Sequence, residues 1–335
     1  MAQIGYVLSH EQFRQPELLE IGAAAEEAGF DMVWASDHIQ PWQDNQGHSG
    51  HAWLTLAALG QRTRRVRLGT GVTCPTYRYH PAVVAHAFAS LAVLSPGRVF
   101  LGVGSGEALN EQAATGQWGD YQERADRLVE AVALIRALWT GETISHRGAH
   151  YATEDLKLYD LPERPVPLYI AGGGEQSARL AGLHGDGLIT DAESAVSPEL
   201  RQAFADGARE RGLDAGDLSV HAELFVYVGT AREAEPVARR WRFLPKAWSD
   251  YVNVPDPREI DRRAQREVPL PDVLRMWTVS PDPAAHAQRL QELIDGGVTH
   301  IYVHAGNQDQ PRAIRFYRDE VLPRVRGERA RAIPR

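Results

Sequence analysis

Short apolar runs alternate with amphipathic helical stretches along this chain, and this alternation constrains the fold more than any other feature. Each strand-like run precedes a stretch in which apolar residues recur every three or four positions, as in parallel α/β proteins. The first unit pairs a strand at Ile4–Leu8 with a helix at Pro16–Gly29. The other predicted strands are Asp31–Ser36, Val66–Thr73, Arg98–Val103, Leu168–Ala171, Gly187–Thr190, Val220–Val228 and His300–His304.

Eight strand–helix units predict a TIM (β/α)8 barrel, an α/β fold, as a single domain over residues 1–335. A doubly wound sheet is the alternative. Two segments, near 141–167 and 244–271, lack clear periodicity and are predicted to be irregular insertions. The other predicted helices are Trp53–Leu59, Pro81–Leu94, Tyr121–Trp139, Gln176–Leu183 and Pro283–Asp295.

Composition narrows the classes of function. The 36 Lys and Arg against 44 Asp and Glu give a formal charge of −8, which argues against a nucleic-acid partner. The single cysteine excludes an intramolecular disulfide framework, and no apolar run reaches the ~18 residues of a membrane helix. The 13 histidines show no metal-binding spacing. We therefore expect a cytoplasmic protein with no metal and no nucleic-acid or membrane partner.

Active sites of such barrels lie on the loops that follow the strands. Glu11 follows the first predicted strand, and Asp37, His38 and Trp42 follow the second. These residues offer hydrogen-bond acceptors, a group that titrates near neutrality and an aromatic wall. The pattern alone leaves another interpretation open, in which Asp37 caps a turn and His38 is a structural histidine.

Two glycine-rich runs follow later strands. In Gly102–Asn110 the alternating glycines predict close approach of a ligand, and Glu107 is a candidate general acid. A carboxylate that complements a helix dipole is the alternative for Glu107. The run Gly172, Gly173, Gly174 precedes a helix and is a candidate phosphate site, with a plain tight turn as the alternative.

The chain also contains several longer motifs. They are Ser36-Asp37-His38 with Gln40-Pro41-Trp42, Arg78-Tyr79 with Pro81-Ala82-Val83, Arg98–Gly104 followed by Gly106–Glu111, Val166–Ala171, and Gly185-Asp186-Gly187. Together they resemble the F420-dependent glucose-6-phosphate dehydrogenases of the luciferase-like superfamily, from Ile4 to about Arg324. The resemblance implies a TIM barrel, a homodimer, and transfer of a hydride from the anomeric carbon of a sugar to C5 of the deazaflavin F420.

The resemblance also implies roles for individual residues. His38 matches the proposed base, and Glu107 matches the proposed acid that protonates the deazaflavin ring. Trp42 matches the aromatic residue beside the reacting centre, and Glu11 matches a carboxylate that lines the pocket. The resemblance places a non-prolyl cis peptide at Gly71-Val72. The implied cofactor-binding residues are Asp37, Gly71, Val72, Thr73, Asn110, Gly172, Gly173 and Gly174.

The match departs from the family where its members bind the sugar phosphate. Thr190–Ser194 contains no Lys, and Met276 stands where the family has an Arg, while Arg262 occupies roughly a third basic position. Lys246 and Arg263 remain as substitutes. The loss of two cations weakens charge-assisted binding of a phosphate, so we expect an unphosphorylated or differently substituted aldose. The predicted substrate-binding residues are Ser194, Trp248, Arg262 and Met276.

Three alternatives to the oxidation of an unphosphorylated aldose remain open from the sequence. The first is glucose 6-phosphate itself. The second is a secondary alcohol or hydroxylated lipid, again with F420, for which Met276 and Trp248 would supply an apolar pocket wall. The third is a monooxygenase reaction with flavin mononucleotide, which the wider luciferase-like group carries out.

Overall fold

The computed structural model describes residues 2–327. Within this range the strands are β1 (Gln3–Leu8), β2 (Met32–Ala35), β3 (Arg67–Thr70), β4 (Leu101–Val103), β5 (Ile144–Arg147), β6 (Ala152–Leu156), β7 (Leu168–Ala171), β8 (Gly187–Asp191), β9 (Ser219–Val228), β10 (Thr278–Ser280) and β11 (His300–Ala305). All eight predicted strands are present, although several are shorter than the apolar runs that predicted them.

The helices alternate with the strands. They are α1 (Gln15–Glu27), α2 (Ala52–Arg62), α3 (Pro81–Leu94), α4 (Glu111–Thr115), α5 (Tyr121–Leu138), α6 (Glu175–His184), α7 (Pro198–Glu210), α8 (Ala231–Ala238), α9 (Pro257–Glu267), α10 (Leu270–Arg275), α11 (Pro283–Asp295), α12 (Gln310–Phe316) and α13 (Leu322–Val325). Local signals set many of the starts: Pro283 opens α11 after Asp282, whose side chain accepts from Ala284 N–H. Across residues 2–327, no helix combines the length and the apolar character that crossing a membrane requires.

Eight parallel strands form the barrel in the order β3-β2-β1-β11-β9-β8-β7-β4. Backbone hydrogen bonds from Leu68 N to Arg98 O (2.7 Å) and from Thr73 N to Gly102 O (2.8 Å) bring β3 and β4, the two ends of this sheet, together. The strands therefore curl into a nearly closed parallel barrel surrounded by helices, which confirms the predicted TIM-barrel fold.

Large aromatic side chains fill the inside of the barrel. Trp34 and Tyr302 stack there with ring centroids 3.8 Å apart, and both are almost fully buried. Glycine supplies the space, because a Cβ at Gly5 would lie 2.7 Å from the Tyr302 ring and one at Gly71 would lie 2.5 Å from Trp34. The cluster inside the barrel consists of Val7, Met32, Trp34, Phe100, Tyr169, Ile189 and Tyr302.

The two segments predicted to be irregular contain regular structure, which is a correction. Segment 141–167 holds the antiparallel hairpin β5–β6, and 244–271 holds α9, a π-helical turn at Ala247–Tyr251 and the start of α10. The sequence pattern missed α9 because only Pro257, Ile260 and Ala264 of this helix are buried.

The structure contains one further strand, β10, that the sequence did not predict. Strand β10 pairs with the end of β9 at Val226–Val228, and it was not predicted because three residues are too few for a period-2 pattern. The prediction of a single domain stays a prediction, and its ends at residue 1 and residues 328–335 lie outside the described residues.

A pair of histidines, His221 buried and His300 half-buried, lies at the opposite end of the barrel from the site loops. His221 and His300 stack with centroids 4.1 Å apart. Burial, together with the neighbouring Arg67, lowers the pKa of His300 to about 4, and burial also lowers the pKa of His221. Protonation of these imidazoles is therefore disfavoured in the folded state.

We expect the folded protein to lose stability as the pH falls from 6.5 towards 4, since His300 takes up a proton in this range only when the chain unfolds. Between pH 7 and 4.5 the His300→Gln variant should lose about 2 kcal/mol less unfolding free energy than the unmodified protein. Urea unfolding at both pH values measures this, with exposed His86→Gln as the control. Equal losses in the two proteins would contradict the assignment.

Candidate active site

The first part of the site is a buried carboxylate next to an imidazole. Glu11 lies on the loop after β1, where its Oε2 accepts hydrogen bonds from Ser9 Oγ (2.9 Å) and Ser36 Oγ (2.8 Å). Its Oε1 lies 3.6 Å from Nε2 of His38, on the loop after β2. Burial raises the pKa of Glu11, but the neighbouring His38 and the Ser36 hydrogen bond outweigh it, so this pKa lies below its usual value.

The other side of His38 contacts the loop after β4. His38 Nδ1 lies 2.8 Å from Nδ2 of Asn110, and the same amide nitrogen donates to Glu107 Oε2 at 3.2 Å. Asn110 Oδ1 accepts the Ile39 N–H at 2.9 Å. Glu107 and Asn110 are buried. The structure therefore brings Glu11, His38, Asn110 and Glu107 together in one chain of contacts at the carboxyl ends of the strands, with hydrogen bonds at Asn110 and a 3.6 Å contact between Glu11 and His38.

Asp37 points away from this chain towards β3. Its Oδ2 accepts from Thr73 Oγ1 at 2.7 Å, and Thr73 in turn accepts from the Trp53 indole N–H at 3.1 Å. The guanidinium of Arg78 lies 3.6 Å from Asp37 Oδ1. Asp37 and His38 thus serve different neighbours, as expected for adjacent residues at a strand end.

Arg78 also reaches Glu111, and all three charged side chains are buried. Its Nε lies 3.5 Å from Glu111 Oε1, while Glu111 Oε2 accepts the backbone N–H of Arg78 at 2.7 Å. Burial raises the pKa of Glu111 to about 7, although Arg78 opposes this shift. One buried guanidinium therefore faces the carboxylates of two loops.

An aromatic wall extends from His38 across one side of the barrel mouth. Trp42 lies beside the imidazole with ring centroids 6.1 Å apart, and Trp248 meets Trp42 edge-on at 5.6 Å. Trp248 is 64% exposed, so the wall reaches the surface. We define the aromatic wall as Trp248, Trp42, Phe243, Trp241, Phe225 and Trp277, whose successive ring centroids are 4.8 to 5.8 Å apart.

The structure gives the glycine run after β4 a different cause from the predicted one. A Cβ at Gly102 would lie 2.1 Å from Thr70 O, and one at Gly104 would lie 2.8 Å from Val72 Cγ2. These glycines allow β3 and β4 to approach each other, so the approach of a ligand is not needed to explain them. The Gly71-Val72 peptide, on the neighbouring strand end, is cis.

The run Gly172–Gly174 lies at the start of α6, as the sequence predicted. Nothing lies within 4 Å of the positions that a Cβ would take at Gly173 and Gly174, and both residues are exposed. The N–H of Gly172 donates to Ile189 O and that of Gly174 donates to Ser177 Oγ, so the open space at the helix start lies beside Gly173 and Gly174. The loop fits the phosphate of a cofactor on this ground, while Gly172 packs against Ser177 and Ala178.

The four predicted substrate residues have different surroundings. Trp248 is in contact with the site through Trp42. Arg262 lies on α9 with an exposed side chain that pairs with Glu259 at 2.6 Å. Ser194 follows β8, where its N–H donates to Asp191 Oδ1 at 2.9 Å, and Met276 follows α10 and is 39% exposed. Their binding of a substrate stays a prediction.

Sequence reasoning gave no role to four residues that hold the site together. Ser9 and Ser36 fix Glu11, and Arg78 and Glu111 form the buried ion pair. Ser36, Arg78 and Glu111 all stand inside the motifs that carried the resemblance. No local pattern marks Arg78 as a buried residue, since it stands five positions after the predicted strand Val66–Thr73.

We expect Arg78→Met to reduce the free energy of unfolding by about 3–5 kcal/mol, because Asp37 and Glu111 would be left buried without the opposite charge. Urea unfolding at pH 7 measures this change. Arg62→Met is the matched control, since the Arg62–Glu20 pair is exposed and worth at most about 1 kcal/mol. A loss below about 1 kcal/mol for Arg78→Met would show that the buried pair does not stabilise the fold.

Comparisons with known proteins agree with this geometry. The model of the luciferase-like monooxygenase family matches residues 2–300. The chain is 52% identical over 323 residues to the F420-dependent hydroxymycolic acid dehydrogenase of Mycobacterium tuberculosis, which covers 96% of this chain and 88% of that protein. It is 42% identical over 328 residues to the F420-dependent glucose-6-phosphate dehydrogenase of Nakamurella multipartita, covering 97% and 96%.

A solved structure of an F420-dependent secondary alcohol dehydrogenase, in complex with an F420–acetone adduct, superposes with a TM-score of 0.91 at 33% identity. The superposition covers 97% of this chain and 99% of that one. By the match of the family model and the identity to these relatives, the chain belongs to the luciferase-like family, and its sequence groups with the F420-dependent dehydrogenases of that family.

Proposed function

We propose that this protein is an F420-dependent dehydrogenase that oxidises the hydroxyl-bearing carbon of an unphosphorylated alcohol with an apolar body. The observation that carries the proposal is the buried chain Glu11–His38–Asn110–Glu107 beside the aromatic wall. This arrangement places groups that hold and move protons next to an apolar surface. F420, when bound, accepts a hydride at C5 and a proton at N1.

The residues present fit this cofactor. Two buried polar side chains, the carboxyl group of Glu107 and the amide of Asn110, meet at the carboxyl ends of the strands, and we assign them to its reacting ring. We assign the Gly172–Gly174 loop, whose exposed part is Gly173 and Gly174, to its phosphate. Asp37, Gly71, Val72 and Thr73 keep the cofactor-binding roles that the resemblance implies.

His38 and Glu107 then act on two different protons. The substrate hydroxyl gives up its proton as the hydride leaves its carbon, and His38 is placed to receive that proton or to orient the hydroxyl. Glu107 is placed to donate one proton to the cofactor ring. The substrate loses one hydride and one proton while the cofactor gains one of each, so the reaction balances without water or metal.

The charges around the wall favour a substrate without phosphate. Lys246 and Arg263 were the two cations that remained as substitutes in the sequence. Lys246 lies 3.0 Å from Asp250, and Arg263 lies 3.5 Å from Glu267. Both cations are therefore already paired, whereas Met276 and Trp248 expose apolar surface.

An unphosphorylated aldose, which the sequence predicted, is the second candidate. It is favoured by the polar surroundings of His38, where Glu11, Ser9 and Ser36 lie close together. Such groups suit a substrate with several neighbouring hydroxyls. The homodimer that the resemblance implies is also part of the proposal; the outer face of α3 supports it, since Val83 and Leu94 are more than half exposed.

We expect kcat/KM for straight-chain secondary alcohols to rise about fourfold per added methylene, because each buried CH2 is worth about 0.8 kcal/mol. Loss of oxidised F420 absorbance measures turnover, with glucose and glucose 6-phosphate in the same panel. Trp248→Ala should weaken the dependence on chain length, whereas Tyr159→Ala, at a side chain 86% exposed, should leave it unchanged.

The panel separates the candidates. A higher kcat/KM for glucose than for every alcohol would favour the aldose. A preference of about 10³ or more for glucose 6-phosphate would refute both unphosphorylated candidates. Turnover with flavin mononucleotide and oxygen in place of F420 would refute the dehydrogenase assignment.

We expect His38→Ala and Glu107→Gln each to reduce kcat at least ~100-fold while F420 still binds, since general acid–base groups contribute about that much. Steady-state kinetics and F420 fluorescence titration measure the two effects. His86→Ala, at an exposed position on α3, is the matched control. Near-normal turnover in both site variants would remove them from the proton steps.

A further inference from the structure

We propose that Asn110 is a positioning residue that holds His38 in the neutral tautomer with its proton on Nε2. The proposal rests on the proposed function only in treating His38 as the base and Glu107 as the acid. The hydrogen bonds themselves do not depend on any substrate. Asn110 itself is 1% exposed.

The backbone of the β2 loop determines the orientation of the Asn110 amide. Ile39 N–H donates to Asn110 Oδ1 at 2.9 Å. A backbone N–H can only donate, so the oxygen of the amide must face Ile39. The amide nitrogen therefore faces His38 Nδ1, at 2.8 Å.

This orientation fixes the proton on His38. The amide nitrogen donates, so Nδ1 must supply a lone pair and carry no proton. A neutral imidazole has one N–H, which must then be Nε2–H, and this atom faces Glu11 Oε1 at 3.6 Å. His38 thus lies between a donor on one side and an acceptor on the other, which is the arrangement that selects one tautomer.

The same amide also acts on the proposed acid. Its second hydrogen points to Glu107 Oε2, at 3.2 Å, so this oxygen accepts and carries no proton itself. A second ring hydrogen on Nδ1 of His38 would point against the amide hydrogens, so the contact accommodates one ring N–H, on Nε2. Glu11 faces Nε2, and His10 and His304 are further titratable groups that act on Glu11. Asn110 therefore contacts both proposed proton-handling groups, which lie on different loops.

The test replaces the amide by a carboxylate. Asn110→Asp keeps an oxygen for Ile39 N–H, but its other oxygen accepts a hydrogen bond from a protonated Nδ1. Because a carboxylate in this place stabilises the imidazolium, we expect the His38 pKa to rise by at least one pH unit. ¹⁵N NMR of histidine-labelled protein without F420 measures this pKa and the tautomer, and His38→Gln assigns the signal. The acid limb of the kcat/KM profile should move to higher pH by the same amount.

Asn253→Asp is the matched control, since this exposed residue accepts from Trp118 through an oxygen that Asp retains. It should leave the His38 pKa unchanged. If Asn110→Asp does not fold, Asn110→Ala provides the test, because loss of the donor should bring the Nδ1–H form into the spectrum. A wild-type spectrum with Nδ1 protonated, or a pKa in Asn110→Asp within 0.3 unit of wild type, overturns the proposal. If the spectra are as expected but the enzyme oxidises no alcohol, the proposed function is wrong and the positioning role of Asn110 stands.

Discussion

The site depends on how the barrel mouth supplies partners to four carboxyl groups that are buried away from water. Glu11, Asp37, Glu107 and Glu111 are all buried at the mouth, where an unpaired carboxylate would be costly. Arg78 faces two of them, serine hydroxyls and His38 surround the third, and the Asn110 amide donates to the fourth. The loops after β1 to β4 can therefore adopt these conformations only together.

This mutual dependence explains why the proposed proton-handling groups are held in fixed positions. His38 belongs to the loop after β2, yet its two ring nitrogens face residues from the loops after β1 and β4. Its position is thus set by three strand ends of the barrel. Sites that are supported from several rigid elements keep the geometry that proton transfer requires better than a single mobile loop does.

Much of the fold was accessible from the sequence, because buried parallel strands leave continuous apolar runs such as Ile4–Leu8. The location of His38, Asp37 and Glu107 followed from the rule that barrel sites lie after the strands. The hairpin β5–β6 and helix α9 were missed, since their faces are largely exposed and lack a strong period.

The roles of individual residues were harder to predict than their location. The glycines at 102 and 104 suggested a ligand, but the neighbouring strand β3 occupies the space beside them. Arg78 and Glu111 gave no site signal, because a buried ion pair depends on loops that meet only in three dimensions. Contacts of this kind connect residues 33 positions apart in the chain.

The aromatic wall has a consequence for how this protein can diversify. Ring faces offer area without directional hydrogen bonds, so the part of a molecule that rests on them is selected by size and shape. The polar end around His38 demands one arrangement of atoms, while the wall tolerates many. Under the proposed function, a change at a wall residue such as Trp248 would therefore alter which substrates fit without disturbing the contacts among Glu11, His38, Asn110 and Glu107.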